Sequence, residues 1–357
     1  MDDIRVAIVG VGNSASALIQ GVHYYQAAQD DELVPGLLHV RFGEYHVKTV
    51  KFVAAFDVDS RKVGNDLGKA IYSEPNNTRI FQQVPQLGIR VMKGNQLDGL
   101  GKFVKDVVKV DPQDPSVDVA EVLREAETDL VINYLPVGSD QATQWYAEQA
   151  LKAGCAFVNC IPSFIASTPS WQAKFTQAKL PVAGDDVMSQ VGATVVHKTL
   201  AKLMVDRGAF LEESYQLNIG GDTDFLNMVE EERLISKRVS KTSAVQALIP
   251  YKIPIKIGPS DYIEFLENKK ICYIWIKGKY FGDTPVRLDV KLEVTDSPNS
   301  AGIVIDAIRA TKIALDRAIS GPLTSISAYA FKHPPIQAPY DVAKIWVEEY
   351  IQGKRER

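Results

Sequence analysis

A short β-branched run, Ile4-Arg5-Val6-Ala7-Ile8-Val9, ends at Gly10-Val11-Gly12-Asn13-Ser14-Ala15, and this junction constrains the fold more than any other segment. Gly10 permits a tight turn, and Gly12 lacks the Cβ that would hold a pyrophosphate away from the backbone. The small Ala15 lets a following helix pack close to the strand. Asn13 and Ser14 open that helix, so free N–H groups and the positive dipole end face whatever anion binds there. An ordinary strand–turn–helix connection shares the pattern. Here a strand precedes the glycines and a helix follows them, which is the context a dinucleotide site needs.

The chain has 357 residues, 46% of them hydrophobic, enough to bury a sizeable core and to form about two domains. A net charge of −4 supplies no basic field for nucleic acid or a membrane surface. No apolar run reaches the ~18 residues of a membrane span, and the start shows no charged-then-apolar leader pattern. Cys155, Cys160 and Cys272 are odd in number and form no C-x-x-C pair, the usage of a reduced, cytoplasmic protein. The five histidines do not cluster, which argues against a dedicated zinc site.

Strand and helix alternate through the first half. After the opening unit comes a polar stretch over 29–45, then a strand over 50–56 ending at Asp57-Val58-Asp59. An acid there can accept both ribose hydroxyls of NAD and repel the 2′-phosphate of NADP; the usual gap of about 20 residues is lengthened by the insertion. Asp57 takes the ribose role in this reading, with Asp59 capping a helix before Ser60-Arg61-Lys62. Further strands read at 89–92, 130–135, 156–161 and 180–183, with helices at 117–127 and 140–153. Pro136 and Val137 follow one strand and Asn159 ends the next, all at the carboxyl edge where a cofactor lies.

Beyond Asp185 the pattern changes. A helix over 189–206 gives way to strands at 212–219, 251–257, 271–277 and 286–295. Strict alternation from Val286 to Val294 marks a sheet with one wet face. Helices at 300–319 and 340–351 fold back on the first domain, and the last four residues read as a solvated tail.

Three groups could carry chemistry. Asp185-Asp186 with Ser189, Gly192 and Thr194 lead into a helix, forming either a plain N-cap cluster or a phosphate and metal corner. Lys237 and Lys241 share one helical face at i,i+4, either as a solvated basic face or around something anionic. Lys269, Lys270, Lys277 and Lys332 are scattered, and their spacing singles out none of them.

The ordered set Val9-Gly10-Val11-Gly12-Asn13, Phe56-Asp57-Val58-Asp59, Asn133-Tyr134-Leu135-Pro136-Val137-Gly138-Ser139 and Gly184-Asp185-Asp186 resembles the myo-inositol-1-phosphate synthases of the shorter prokaryotic type. The resemblance continues through Ser189-Gln190-Val191-Gly192-Ala193-Thr194, Asp224-Phe225-Leu226-Asn227-Met228, Ser236-Lys237, Ser240-Lys241, Gly258-Pro259-Ser260-Asp261 and Asp296-Ser297-Pro298-Asn299-Ser300-Ala301-Gly302, nearly end to end. The first loop is less rich in glycine and asparagine than in the longer eukaryotic members. The resemblance implies conversion of D-glucose 6-phosphate to inositol phosphate with NAD regenerated each turn. C5 is oxidised, C6 loses a proton, C6 attacks the C1 aldehyde, and C5 is reduced again.

It also implies roles. Lys237 matches the lysine at the C5 oxygen, and Lys241 the one that activates the C1 carbonyl. Lys270 matches a further active-site lysine, with Lys277 as competitor, and Lys332 the lysine before the Pro-containing C-terminal stretch. Asp186 and Asp224 match the acids that hold these lysines, and Ser189, Gly192 and Thr194 the phosphate corner. Gly10, Gly12, Asn13, Ser14, Ala15, Asp57, Pro136, Val137, Asn159 and Asp185 make up the expected cofactor set. The substrate's own phosphate can serve as base at C6. A divalent or monovalent cation has no cage spelled out in the sequence.

The expected architecture is α/β. A Rossmann-type, doubly wound parallel sheet over 1–185 is completed by 300–357. An inserted α+β domain over 186–299 carries an open, largely antiparallel sheet that builds the substrate site and, by family resemblance, a homotetramer. A conventional two-domain NAD dehydrogenase is the rival. It accounts for the fingerprint but leaves the lysine pair and the Asp186–Ser189 corner without a shared purpose.

Overall fold

The computed structural model describes residues 3–357. β1 (Ile4–Val9) and α1 (Asn13–Tyr25) come first, then a hairpin of β2 (Arg41–Phe42) and β3 (Tyr45–His46) inside the expected insertion. β4 (Val50–Asp57), α2 (Leu67–Ala70), β5 (Val91–Lys93) and α3 (Val119–Glu125) follow. β6 (Leu130–Asn133), α4 (Asp140–Ala153), β7 (Ala156–Asn159), α5 (Pro169–Gln177) and β8 (Pro181–Gly184) complete the alternation. The second part holds α6 (Ala193–Asp206), β9 (Phe210–Gly220), α7 (Thr223–Asn227), α8 (Ile235–Gln246), β10 (Ile255–Tyr262), β11 (Lys269–Tyr280) and β12 (Thr284–Thr295). Last come α9 (Pro298–Asp316), β13 (Gly321–Pro322), α10 (Thr324–Ala330) and α11 (Tyr340–Ile351).

Seven parallel strands form one sheet in the order β13-β8-β7-β6-β1-β4-β5. The strand order reverses at β1, so a crevice opens between the carboxyl ends of β1 and β6, where such sheets bind ligands. One face is covered by α1 and α9, which pack together; the other is covered by α3, α4 and α5. Both faces being buried explains the near-continuous apolar runs of β1, β6 and β7.

The second sheet runs β10-β9-β11-β12. β9 pairs with β11 and β11 with β12 antiparallel, while β10 joins β9 in parallel, because α7 and α8 form the crossover between them. α6, α8 and the turn after α8 cover one face, packing Ala201, Met204, Val245 and Ile249 on the inward residues Cys272, Ile274 and Ile276. The other face is uncovered, with Tyr215 stacked on Trp275 at 5.2 Å and Tyr273 exposed beside them.

Several sequence expectations are corrected. Asp59 caps no helix: residues 60–63 form turns, Asp59 pairs with Arg61 at 2.5 Å, and the next helix is α2, capped by Asp66. The strand expected over 251–257 starts at Ile255, after a coil around Pro254 that cannot donate to a ladder. In the expected solvated tail, Lys354 and Glu356 are exposed, but Arg355 and Arg357 are docked. Arg355 lies over the Trp346 ring at 4.2 Å, and the hydroxyls of Thr324 and Ser325 donate to the Arg357 carbonyl. The helix α5 was not anticipated, although Pro169 at its start and buried Trp171 and Phe175 at i,i+4 are a readable signal.

Candidate active site

One continuous cleft runs from the glycine turn at the end of β1, past the β6 loop, to a cluster of lysines and aspartates on the second sheet's side. At the first end the Gly10 N–H donates to the Phe56 carbonyl at 2.8 Å, and φ of +91° puts this residue where glycine alone is relaxed. An added Cβ on Gly10 would stand 2.6 Å from the Tyr134 carbonyl oxygen. Gly12 differs: no atom lies within 4 Å of where its Cβ would be, and it lines the cleft. Asn13, Ser14, Asp57, Pro136 and Val137 line it as well. Ala15 is fully buried against the sheet, the packing role its size predicts.

Asp57 braces the turn. Its Oδ2 accepts from the Val11 N–H at 2.7 Å and its Oδ1 from the N–H groups of Val58 and Asp59. A carboxylate has about four acceptor sites, so one remains for a ligand hydroxyl. Asn13 is equally committed: its Oδ1 accepts from the Asn77 and Thr78 N–H groups and the Thr78 hydroxyl, strapping residues 76–78 across the turn.

Asn159 and Asp185 stand apart from the rest of the expected cofactor set. Both are fully buried and neither lines the cleft. The Asn159 amide donates to the Asp185 carboxylate at 2.7 Å, which also accepts from the Ala166 and Ser167 N–H groups and the Ser167 hydroxyl. They tie the end of β7 to the loop that follows β8.

At the other end, backbone pairing assembles the charges. Val187 bridges Phe331, and the Lys332 N–H donates to the Asp186 carbonyl at 2.8 Å, so two segments far apart in sequence run side by side. Lys332 Nζ then reaches Asp186 Oδ1 at 2.8 Å and the Val187 carbonyl at 2.7 Å. The second oxygen of Asp186 accepts from the Ser240 hydroxyl at 2.6 Å, locking α8 to this loop. One turn of α8 around Ser240 places Lys237 and Lys241 in the cleft. Lys237 Nζ meets Asp224 Oδ2 at 2.7 Å. Asp224 sits in the first turn of α7, whose N-cap Asp222 accepts from the Asp224 and Phe225 N–H groups.

Register explains Lys270. In β11 it pairs with Gly220, two residues before Asp222, and with Val294, two residues before Asp296. Its ammonium lies 3.2 Å from Asp296 and 5.5 Å from the Phe225 ring centre. Lys277 lies seven residues along and pairs with Glu212 and Glu213 outside the cleft, so Lys270 is the lysine that faces it.

Four lysine side chains thus line one cleft, and their electrostatics differ. Burial, with Lys237, Lys270 and Lys332 nearby, holds Lys241 well below its ordinary pKa; among the described residues its side chain has no hydrogen-bond or ion-pair partner. Burial also lowers Lys332, against the pull of Asp186. Burial acts to lower Lys270, but Asp296, Asp224 and Asp222 outweigh it and raise the group. Burial alone would lift Asp224, yet Lys237, Lys270 and Lys241 hold its carboxyl below the ordinary value. Burial and the neighbouring Asp296 and Asp224 push Asp222 up to about 7. The arrangement offers ammonium donors for developing oxyanions and one amine, Lys241, that gives up its proton more readily than an ordinary lysine.

Asp222 and Asp296 line the cleft without having been assigned a role from sequence. Asp222 was hidden by its capping function, and only the pair of acids two residues apart after Gly221 hinted at it. Ser189 lines the cleft just ahead of α6; Gly192, the N-cap, and Thr194, buried in the first turn, do not. An added Cβ at Gly192 would strike the Ser189 Cβ at 2.6 Å, so Gly192 shapes that corner without touching its contents. Among the described residues no group of three or more His, Cys, Asp or Glu side chains is disposed to hold a metal ion, and no helix is long and apolar enough to cross a membrane.

On α6, His197 is fully buried, 2.7 Å from Ser214 Oγ and 3.2 Å from Gln216 Oε1. Burial pushes its pKa down to about 4. An unfolded histidine titrates near 6.5, so between about pH 6.5 and 4 the unfolded chain binds the extra proton. Stability therefore falls as pH drops through that window, by about 2 kcal/mol between pH 7 and 5 from this group. Urea unfolding of wild type and His197→Gln at the two pH values checks this: the variant is expected to lose that much less.

A family model described as myo-inositol-1-phosphate synthase matches residues 192–297. The chain is 53% identical to an inositol-3-phosphate synthase of Mycobacterium tuberculosis over 354 residues, covering 98% of this chain and 96% of the relative. It is 51% identical to the Corynebacterium glutamicum inositol-3-phosphate synthase, covering 98% of both chains. Among solved structures, a myo-inositol-1-phosphate synthase-related protein from Thermotoga maritima superposes with a TM-score of 0.81 at 25% identity, covering 98% of each chain.

Proposed function

The chain belongs to the myo-inositol-1-phosphate synthase family, and we propose that it converts D-glucose 6-phosphate to 1L-myo-inositol 1-phosphate (1D-myo-inositol 3-phosphate) with NAD regenerated in each turnover. One observation carries this reading: the glycine turn and the lysine–aspartate cluster open into the same cleft. A dehydrogenase needs a hydride acceptor and one acid–base pair; four lysines lining one cleft are excess for it. Intramolecular cyclisation has several oxygens to stabilise in succession, and the cluster supplies a cation for each.

The residues fit NAD on the evidence of the cradle itself, an open Gly12 beside a helix start and a carboxylate at the end of β4. When bound, NAD supplies a hydride acceptor for C5 and the donor that restores it. Lys237, oriented by Asp224, holds and exchanges the proton on the C5 oxygen. Lys241 donates to the C1 carbonyl oxygen, where its low proton affinity favours release to the alkoxide formed on ring closure. Lys270 and Lys332, fixed by Asp296 and Asp186, neutralise the enolate. Ser189 and the start of α6 receive the substrate phosphate, which itself takes the C6 proton.

The uncovered face of the second sheet, with Tyr215, Tyr273 and Trp275, supports assembly into a homotetramer. Free, buried Cys155, Cys160 and Cys272 accord with a reducing cytoplasm.

Glucose 6-phosphate deuterated at C5 tests the redox-neutral reading. Retention of the label in the inositol phosphate is expected; its appearance in accumulating NADH supports the dehydrogenase instead. Asp57→Ala is expected to weaken NAD binding about tenfold and to narrow the preference over NADP. Equal affinities for wild type and variant, measured by titration calorimetry with each nucleotide, would rule out the ribose role.

A further inference from the structure

We propose that Lys62 is a cofactor-site residue whose ammonium binds a phosphate of the dinucleotide, a role that rests on the NAD reading above. Lys62 lies five residues beyond Asp57, in the turns that follow β4, and lines the cleft at its glycine end. It is 4% exposed. Its Nζ donates to the Val11 carbonyl and to Asn76 Oδ1, both at 2.9 Å. An ammonium has three donors, and among the described residues the third has no acceptor. No carboxylate lies within ion-pair distance among the described residues, whereas the adjacent Arg61 is fully engaged by Asp59 at 2.5 Å.

A desolvated cation without a counter-charge is costly in the free protein, and an anion entering the cleft relieves that cost. The contrast with Lys93 is instructive. That lysine is also buried without a carboxylate, but it is spent on the Asp111 and Asp114 carbonyls and does not line the cleft. Lys62 instead grips the carbonyl of Val11, the residue between the two glycines. Asn76 donates to the same carbonyl at 3.0 Å. With that oxygen drawn toward Lys62, and Asp57 holding the Val11 N–H, the turn is pinned from both sides. Lys62 bonds the carbonyl that precedes Gly12, and both residues line the same cleft. The anions that a dinucleotide brings to such a turn are its phosphates.

The test compares NAD, ADP-ribose and adenosine on wild type, Lys62→Met and Lys62→Arg, with affinities from calorimetry or competition. Lys62→Met is expected to weaken NAD and ADP-ribose by 10- to 100-fold while adenosine changes less than about threefold. Lys62→Arg, which keeps the charge, is expected to stay within about fivefold of wild type for all three. An equal loss for adenosine in Lys62→Met would overturn the proposal, because the lysine would then only shape the turn. Unchanged NAD affinity in that variant would overturn it too. Absence of NAD binding to the wild type would remove the underlying reading and this proposal with it, a result distinct from either.

Discussion

Lys237→Ala is expected to lower kcat at least about a thousandfold while leaving NAD affinity within about threefold of wild type. The ammonium is nine-tenths buried and held 2.7 Å from Asp224, so its position is fixed before substrate arrives. A preorganised donor to a developing oxyanion is worth about 10²–10³ in rate, and general acid–base action adds about 10²–10⁴. The variant also leaves the half-buried Asp224 without its nearest cation, which removes a main cause holding that carboxyl below its ordinary value. None of the hydrogen bonds that build the glycine turn involves Lys237, which is why cofactor affinity is spared. Product formation and NAD titration on the same preparation decide it. A fall in NAD affinity as large as the fall in turnover would refute the assigned role.

Gly12→Val has the second large expected effect, on binding alone. Gly12 has φ of −89°, open to any residue, and nothing within 4 Å of its missing Cβ. A valine there strains no backbone, and its Cβ meets no protein atom. It fills cleft space against which the nucleotide would lie. A melting temperature within about 2 °C of wild type is expected, together with at least a hundredfold loss of NAD affinity. Gly10→Val should behave in the opposite manner, unfolding the protein through its left-handed φ and its contact with the Tyr134 carbonyl. Should Gly12→Val bind NAD normally, the pyrophosphate does not pass over this turn.

How far the molecule was legible in its sequence varies by region. The junction at Gly10–Ala15 was readable because strand, turn and helix are local and each has its own residue chemistry. The i,i+4 spacing of Lys237 and Lys241 was readable for the same reason. Their purpose was not, since it depends on Asp224 reaching from another helix and on Asp186, in the loop after β8, binding Ser240. Asn159 and Asp185 were assigned to the cofactor because they end strands at the right edge. Sequence position gives the edge, but side chains alternate between faces, and these two turned inward to bond each other. Lys270 and Lys277 could not be separated until the register of β11 placed one beside Asp296 and the other beside Glu213. Asp222 and Lys62 carry little functional signal in the sequence because each has a local occupation, one capping α7 and the other following a turn acid.

The central claim is that one cleft carries out oxidation, ring closure and reduction on the same sugar phosphate, with no net change in the cofactor. Its most direct test is to incubate the purified protein with glucose 6-phosphate and a trace of NAD, following inositol phosphate and NADH absorbance together. The account predicts product far in excess of the NAD supplied and no lasting NADH signal. NADH rising in step with substrate loss, and stopping when the NAD is spent, would contradict it.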